Sequence, residues 1–334
     1  AMTKIEWTER TWNPIVGCSI VSPGCTNCYA MQMAARIERM SPKLDHYKGL
    51  TKRVNGKAVW TGKLALAPES TLLLPLRTKK PTMWFVNSMS DLFHEDVPDE
   101  WIDRVFAVMA LTPQHTYQVL TKRSARMREY VNGLYERAMD GETNFARDVV
   151  GHCEGLNAIF GRTKWPFPNV WLGVSCERQQ EADERIPDLL TTPAAVRFVS
   201  AEPLLGPIDF TSLPSVSGIG RHLDALSNAG CEHADIPSKL DWIIVGGESG
   251  PNARPMHPDW ARAIRDQCAA AGVPFFFKQW GEWVSGGPGR IHWSECRELK
   301  SWGGGCYSAR VGKARAGRLL DGREHNDMPR PAHA

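Results

Sequence analysis

The sequence predicts an α/β fold in which about six to seven parallel strands form a partial or full βα barrel. Two observations carry this prediction: short apolar runs recur along the chain, and helical segments separate them. The chain has 334 residues, a length that βα barrels commonly reach as one domain. Polar or glycine-rich residues also follow almost every run, as in barrels whose sites lie at the carboxyl ends of the strands.

The predicted elements alternate along the chain. Apolar runs predict strands over residues 82–86, 116–120, 170–174, 196–199, 241–245 and 274–280. Good helix formers predict helices over residues 29–40, 99–109 and 258–271, a basic helix that reaches residue 130 and an acidic helical stretch after residue 177. The first helix is expected to end at Ser41-Pro42, because proline cannot continue a helix.

One barrel domain is expected over residues 1–283, followed by a Gly-rich, basic and irregular extension over residues 284–334. Two stretches interrupt the barrel pattern, at about 133–168 and 211–239, and are interpreted as insertions in its loops. Several tryptophans lie inside strand-like runs and are expected in the core, among them Trp84, Trp171 and Trp242.

The composition is that of an ordinary globular protein, with 42% apolar and 23% charged residues. The net charge of +3 is compatible with a polyanionic partner and does not demand one. No run approaches 18 apolar residues, so no membrane-spanning helix is expected. The first residues contain no apolar secretory segment, which predicts a cytoplasmic protein.

Three cysteines near the start form a C-x6-C-x2-C motif of Cys18, Cys25 and Cys28. Clustered cysteines in a reducing compartment indicate metal ligands or catalytic groups. A structural zinc site closes with four protein ligands, whereas three cysteines on a [4Fe–4S] cluster leave one iron free for another ligand. The motif immediately precedes the first predicted helix, whose N-terminal N–H groups would stabilise thiolates.

Polar residues at the strand ends predict one convergent site, because the carboxyl ends of parallel strands meet at one edge of the sheet. The alternative is that each of them only caps a helix or completes a loop hydrogen bond. The candidates are Asn87, Ser88, Ser90, Asp91, Lys122, Arg123, Ser175, Cys176, Glu177, Glu202, Gly246, Gly247 and Glu248.

With these features the chain resembles the radical S-adenosylmethionine (SAM) superfamily, whose partial βα barrels carry three cluster cysteines after the first strand. The commonest spacing there is C-x3-C-x2-C, and this chain has six residues in the first gap. The chain more closely resembles a phage-associated family of three-Cys-motif proteins. That resemblance rests on four stretches, Thr11-Trp12-Asn13-Pro14, residues 200–205, residues 245–250 and residues 277–281.

The resemblance implies a mechanism. Cys18, Cys25 and Cys28 would hold a [4Fe–4S] cluster, and the amino and carboxylate groups of SAM would bind its fourth iron. One electron would cleave SAM into methionine and a 5′-deoxyadenosyl radical that abstracts hydrogen from the substrate, and the cofactor carries this chemistry. The resemblance also implies an electron donor such as flavodoxin or ferredoxin.

The same resemblance implies contacts to SAM. Lys122 or Arg123 would meet the carboxylate, and Gly246 and Gly247 would let the backbone approach the adenine, while the role of Glu248 stays open. Ribose or the amino group would be bound by Ser175, Glu177 and Glu202. The methionine amino group would be bound among Asn87, Ser88, Ser90 and Asp91.

The substrate is expected to be a nucleic acid or a nucleotide. A basic segment with Lys122, Arg123, Arg126 and Arg128, together with the basic C-terminal region, is typical of phosphate contacts. The reaction would then be lesion repair or base modification in DNA or RNA. In repair Cys176 would donate hydrogen, although the same position also suits an inert buried thiol. The protein is expected to act as a monomer.

Two other functions fit the same motif. The first is a zinc-stabilised nucleic-acid-binding protein without catalysis, in which His46 would complete the three-cysteine site. The second is a degenerate barrel that keeps the cluster as a structural or redox element. A second zinc-type site in the insertions is a further possibility, from His152, Cys153, Cys231 and His233.

Overall fold

Seven parallel strands form one sheet that curls into a half-barrel, with helices packed on its outer side. The structure is a computed structural model that describes residues 3, 5–41, 44–139, 165–215, 222–227, 239–286 and 296–330. The strands are β1 (Arg10–Trp12), β2 (Ile15–Val16), β3 (Thr51–Val54), β4 (Lys57–Trp60), β5 (Ala65–Leu66), β6 (Met83–Val86), β7 (Thr116–Thr121), β8 (Val170–Ser175), β9 (Val196–Ala201), β10 (Leu213–Pro214), β11 (His222–Leu223), β12 (Trp242–Gly246), β13 (Phe275–Gln279), β14 (Trp283–Gly286), β15 (Leu299–Gly303) and β16 (Cys306–Arg310).

The described part of the chain contains seven α-helices. They are α1 (Tyr29–Met40), α2 (Glu69–Leu72), α3 (Asp99–Leu111), α4 (Ser124–Met139), α5 (Gln179–Leu190), α6 (Pro258–Ala271) and α7 (Lys313–Ala316).

The strand order of the sheet is β1-β6-β7-β8-β9-β12-β13, and β1 and β13 are its edges. This confirms the predicted partial βα barrel. Every apolar run that we predicted as a strand is a strand of this sheet, and α1 and α6 have the predicted bounds. The edge strand β1 was not predicted. It has only three residues, Arg-Thr-Trp, which are too few to show a periodic pattern.

The sheet is buried on both faces, as parallel strands are when helices cover them. All six residues of β8 are buried. The outer face packs against the helices in the largest apolar cluster of the described residues. The concave inner face packs on itself through Trp7, Phe85, Trp171, Phe198, Trp242, Ile244 and Phe276, which we call the inner core.

Trp242 lies at the centre of the inner core. Its ring centroid is 6.0 Å from that of Trp171, 5.8 Å from that of Phe198 and 6.2 Å from that of Trp7. Trp7 comes from the segment ahead of β1, so the N-terminal segment fills the inside of the half-barrel. The expectation that Trp84, Trp171 and Trp242 are core residues is confirmed, since each is fully buried.

Helix α1 and the hairpin β3–β4 pack together beside the half-barrel, and we call residues 29–63 the α1–hairpin module. Met31 and Ala34 of the helix share an apolar cluster with Ala58 and Trp60 of the hairpin. Asn55-Gly56 forms the turn, with φ of 47° and 77°, the conformation that favours an Asn-Gly pair in two-residue hairpins.

The C-terminal extension differs from the expected irregular segment. Residues 283–310 contain an antiparallel sheet in the order β14-β16-β15, and its glycine-rich stretch Gly303-Gly304-Gly305 has positive φ throughout, as a tight turn requires. The chain then returns to the half-barrel edge, where Phe277 donates from its backbone to the carbonyl of His325.

The predicted insertions fall largely outside the described residues. Helix α4 runs through the start of the first of them to Met139. His152, Cys153, Cys231 and His233 lie outside the described residues, and so does the second metal site that they suggested. Within the described ranges, no helix is long and apolar enough to cross a membrane.

Gly173 tests the packing of the inner core. It lies opposite Phe198 in the register of β8 and β9, and a Cβ added to it would come 2.6 Å from the Phe198 ring. We expect Gly173→Ala to lower the free energy of unfolding by about 1–3 kcal/mol, the usual cost of overpacking. In a Phe198→Leu background the same substitution should cost less, as measured by denaturant unfolding. Equal costs in both backgrounds would contradict the packing argument.

Candidate functional site

A cavity of about 280 Å³ lies at the carboxyl ends of the strands. Loops and strand ends from both halves of the half-barrel contribute to its wall, as expected for a convergent site. Among the predicted site residues, those that line it are Cys18, Cys25, Cys28, Asn87, Ser88, Ser90, Asp91, Lys122, Arg123, Ser175, Glu202, Gly247 and Glu248. Cys176, Glu177 and Gly246 are not part of this lining.

The three cysteines occupy one loop between β2 and α1. Cys25 closes a single 3-10 turn over Pro23–Cys25 and is buried, whereas Cys18 and Cys28 are half-buried. Cys28 immediately precedes α1, and the N–H groups of Ala30 and Met31 point toward its thiol. The start of the helix therefore offers positive dipole ends to this sulfur.

Burial and charge act in opposite directions on the thiols. The pKa of Cys18 is raised to about 12, mainly by burial; Asp91 contributes to this rise and Arg123 opposes it. The Arg123 Nη1 atom is 3.5 Å from the Cys18 sulfur. Burial also raises the pKa of Cys28, while the N–H groups of Ala30 and Met31 oppose this rise. A metal would have to displace these protons, as metal binding to thiols does in general.

Glu177 supports the cysteine loop from below. Its side chain is fully buried and contacts Lys122, the hydroxyl of Ser22 at 2.8 Å and the guanidinium of Arg185 at 3.1 Å. Any Cβ at Gly24 would overlap the Glu177 carboxylate, so glycine is required between the cysteines at this position. Glu177 therefore holds the loop and does not face the cavity.

A second ion pair holds the other side of the loop. Glu248 accepts two hydrogen bonds from the Arg254 side chain, at 2.8 Å and 2.5 Å. It also accepts from the Asn27 amide at 3.1 Å, and Arg254 donates to the carbonyl of Pro23 at 3.0 Å. The role of Glu248, which the sequence left open, includes this fixation of the loop.

Asp91 organises the opposite wall. It accepts hydrogen bonds from the Thr121 hydroxyl at 2.6 Å and from the Lys122 backbone at 2.9 Å, and it pairs with Arg123 at 3.2 Å. Burial would lower the pKa of Arg123, but Asp91, Cys18 and Glu95 raise it overall, so the guanidinium stays charged.

Three buried polar atoms of the lining have no partner among the described residues. They are the Nδ2 donor of Asn87, the Oε1 acceptor of Gln279 and the Nε1 donor of Trp7. Buried polar groups are almost always hydrogen-bonded, so such atoms in a cavity wall point to a missing ligand or water. Asn87 is held at φ of 56° and accepts from the Ile15 backbone at 3.4 Å, which leaves its amide nitrogen free.

Glu202 and Lys278 form an ion pair of 3.0 Å across the cavity wall. Ser200 donates a hydrogen bond to Glu202 at 3.1 Å, and a Cβ at Gly246 would come 2.5 Å from the same carboxylate. Contacts within the protein therefore require glycine at Gly246 and Gly247, since a Cβ at Gly247 would overlap the carbonyl of Trp280. The approach of this backbone to adenine stays a prediction.

Cys176 lies in the largest apolar cluster, between the sheet and its helices, which we call the outer core, and not at the cavity. It is fully buried, and its thiol approaches the carbonyl of Glu181 at 3.7 Å. Burial raises the pKa of this thiol. The structure thus places Cys176 where the buried-thiol interpretation expected it, away from the lining of the cavity.

The cations of the predicted basic segment form ion pairs with carboxylates of the protein itself. Lys122 pairs with Glu177, and Arg123 pairs with Asp91 and Glu95. The next two cations also have carboxylate partners, as Arg126 pairs with Asp99 and Arg128 with Asp188.

His46 does not line the cavity. It lies in a 3-10 turn over Asp45–Tyr47, and its ring centroid is 4.7 Å from that of Tyr47. Within the described ranges, no group of three or more His, Cys, Asp and Glu side chains is arranged to hold a metal ion. An iron–sulfur cluster takes one thiolate per iron, so its ligands surround the cluster and do not meet at one ion.

Sequence reasoning missed several residues of the site. Trp7, Lys278 and Gln279 line the cavity, and Asn27 and Arg254 fix the loop. Lys278 and Gln279 end β13, so the strand-end argument applied to the other strands would have found them. No local sequence pattern predicts the role of Arg254, because that role depends on the position of Glu248 in the folded chain.

The fold and the cavity define a class of protein, a partial βα barrel with a cysteine loop at the carboxyl ends of its strands. The chain belongs to DUF5131, a protein family of unknown function, whose family model matches residues 2–329. No curated protein and no solved structure matched the chain.

Replacing Glu177 by glutamine tests the support of the cysteine loop. We expect Glu177→Gln to lower the free energy of unfolding by about 3 kcal/mol or more, because Lys122 and Arg185 would lose their buried counter-charge. Glu181→Gln is the matched control: Glu181 is also buried, but its partner Arg178 is 39% exposed, so about 1 kcal/mol is expected. Equal losses in denaturant unfolding would contradict this role of Glu177.

The stability of the wild type and of Glu177→Gln at different pH values gives a second test. Burial alone would raise the pKa of Glu177, but Lys122 and Arg185 hold it below its ordinary value of 4.5. A carboxylate with a lowered pKa contributes stability that is complete above its ordinary pKa and is lost as pH falls through the folded value. The stability difference between wild type and Glu177→Gln should therefore shrink below about pH 4.5. A stability difference between the two proteins that stays constant down to pH 3 would contradict this role of the Glu177 carboxylate.

Proposed function

We propose that this protein is a radical SAM enzyme, in which Cys18, Cys25 and Cys28 hold a [4Fe–4S] cluster and the cavity binds SAM beside it. The observation that carries the proposal is the convergence of three thiols from one loop with polar strand ends on a single cavity. Its volume of about 280 Å³ is close to the lower end of small-molecule sites, roughly 300 Å³.

The residues at the cavity fit such a group. Three thiols from one short loop are the donors that iron–sulfur clusters take. The unpartnered donor of Asn87 and the unpartnered acceptor of Gln279 suit a ligand with both acceptor and donor groups, such as the carboxylate, amino and adenine groups of SAM. The guanidinium of Arg123 beside Cys18 would offset the negative charge of a thiolate-bound cluster.

The chemistry that such a cluster supplies is one-electron cleavage of the sulfonium carbon–sulfur bond, which gives methionine and a 5′-deoxyadenosyl radical. The protein contributes orientation and exclusion of water. Trp7 and Phe85 of the inner core form an apolar part of the wall, which keeps water from a reactive species. Asn87 and Gln279 orient the ligand, and the Glu202–Lys278 pair presents one charge of each sign to it.

The cytoplasm is the compartment that fits this proposal, because clustered thiols stay reduced there and remain available to iron. The electron would come from a small carrier such as flavodoxin or ferredoxin.

Anaerobic reconstitution tests the proposal directly. The wild-type protein is expected to bind about four irons and sulfides and to form 5′-deoxyadenosine from SAM after reduction. Each of Cys18→Ala, Cys25→Ala and Cys28→Ala should lose most of the iron and all cleavage. Cys268→Ala is the control, because Cys268 is a fully buried thiol of α6 outside the cavity lining.

Two results would contradict the proposal. Colourless protein with one zinc would favour the zinc-stabilised binding protein, and a cluster without SAM cleavage would favour a structural or redox cluster. Iron content, metal identity and 5′-deoxyadenosine are measured on the same samples, so that the two results are distinguishable.

Asn87→Asp tests the cofactor contact separately from the cluster. Aspartate keeps the shape, tolerates positive φ and retains the oxygen that accepts from Ile15, but it replaces the free donor by an acceptor. We expect unchanged iron content and SAM binding weaker by about 10- to 100-fold, since a hydrogen bond to a charged group contributes about 1.5–3 kcal/mol. Equal affinity of both proteins in SAM titrations of the reconstituted samples would show that Asn87 does not contact the cofactor.

A further inference from the structure

The α1–hairpin module has a larger net positive charge than the whole chain. Seven of its described residues are Lys or Arg and two are Asp or Glu, an excess of five positive charges, whereas the complete chain has an excess of three. The cations are Arg36, Arg39, Lys48, Lys52, Arg53, Lys57 and Lys63. The rest of the protein is therefore slightly negative, although its extension over residues 284–334 is also positive, with nine Lys and Arg against five Asp and Glu. The α1–hairpin module is the positive region that directly follows the cysteine loop.

The cations of the hairpin are exposed and are not used inside the protein. Lys52, Arg53 and Lys57 are exposed, and among the described residues no carboxylate pairs with any of them. The basic segment at Lys122–Arg128 differs in this respect, because its cations are held by carboxylates.

The hairpin register fixes the face from which each cation projects. Lys52 is opposite Val59 and Lys57 is opposite Val54, so Lys52 and Lys57 project from one face. Arg53 is opposite Ala58 and projects from the other face, which is also the face of Trp60. Arg53 and Lys57 flank the Asn-Gly turn. No carboxylate lies opposite any of these three cations across the hairpin.

The other end of the hairpin reaches the cavity. Trp60, the last residue of β4, lines it, and so does Tyr29, the first residue of α1, which is 54% exposed. Lys57 is three residues from Trp60 along the strand, about 10 Å at ~3.3 Å per residue. That distance corresponds to about three phosphates along one strand of duplex DNA, at ~3.4 Å per charge.

We propose that the exposed cations of the hairpin bind the phosphate backbone of a nucleic acid strand and direct one of its bases to the cavity. This inference rests on the proposed function, whose substrate it names. Because enzymes that act on a base take it out of the stack, a single-stranded segment or an extruded base would present its base at the opening of the cavity, beside the bound SAM. Tyr29 offers an exposed aromatic ring at the cavity mouth on which such a base stacks.

The test compares two triple variants of the reconstituted full-length protein. Lys52→Gln, Arg53→Gln and Lys57→Gln remove the hairpin charges. Arg77→Gln, Lys79→Gln and Lys80→Gln remove three exposed cations just ahead of β6, at the opposite end of the sheet. Binding of fluorescent single-stranded DNA, single-stranded RNA and duplex DNA is measured by anisotropy from 50 to 200 mM salt.

The expected result is specific to the hairpin. Each phosphate contact contributes about 0.7 to the slope of log affinity against log salt for single strands, so the hairpin variant should lose about 2 from the slope. The control variant should bind as the wild type does, and circular dichroism of both variants checks their folding. The three probes show which nucleic acid the surface prefers.

Three results would overturn the inference. The hairpin variant could bind with unchanged affinity and slope, or the control variant could lose as much. The hairpin variant could also keep nucleic acid binding and lose reduction by flavodoxin, which would assign the surface to an acidic electron carrier. Failure of the proposed function would appear differently, as wild-type protein that forms no 5′-deoxyadenosine from SAM however well it binds nucleic acid.

Discussion

The buried carboxylate of Glu177 is the interaction on which the cysteine loop depends. A fully buried carboxylate is costly unless it is paired and hydrogen-bonded, and here Lys122, Arg185 and Ser22 supply both. These partners join β7, α5 and the cysteine loop at one point. The position of Cys25 therefore follows from a charge network and not from the loop sequence alone, since the loop itself is only a single 3-10 turn between irregular segments.

A second carboxylate repeats this arrangement on the far side of the loop. Glu248, which follows β12, binds Arg254 and Asn27, while Glu177 follows β8. The loop is thus fixed at two places in the sheet, after the central strand β8 and after β12, the neighbour of the edge strand β13. These two ion-paired contacts explain how three thiols stay directed at one cavity although the chain between them has almost no regular structure.

The apolar runs were enough to predict six of the seven strands and the position of the cavity at the strand ends. The details of the site depend on the direction of each side chain. The alternation of side chains along a strand predicts part of this. Ser175 and Cys176 are adjacent, so they project to opposite faces of the strand: Ser175 lines the cavity and Cys176 enters the outer core. The pairing of Lys122 with Glu177 could not be predicted, because 55 residues separate them and no local pattern relates their positions.

Charge is used in two distinct ways in this protein. Around the cavity, cations such as Arg123 and Arg254 are paired with carboxylates, so they position the cysteine loop and are not free to recruit a polyanion. The hairpin has the reverse arrangement, with exposed cations and a turn that needs none of them. If the cavity acts on a polyanion, the positive surface must lie outside the ion pairs that hold the site, because a cation cannot leave its buried partner without destabilising the loop. The exposed cations of the hairpin meet that condition, and the segment at Lys122–Arg128 does not.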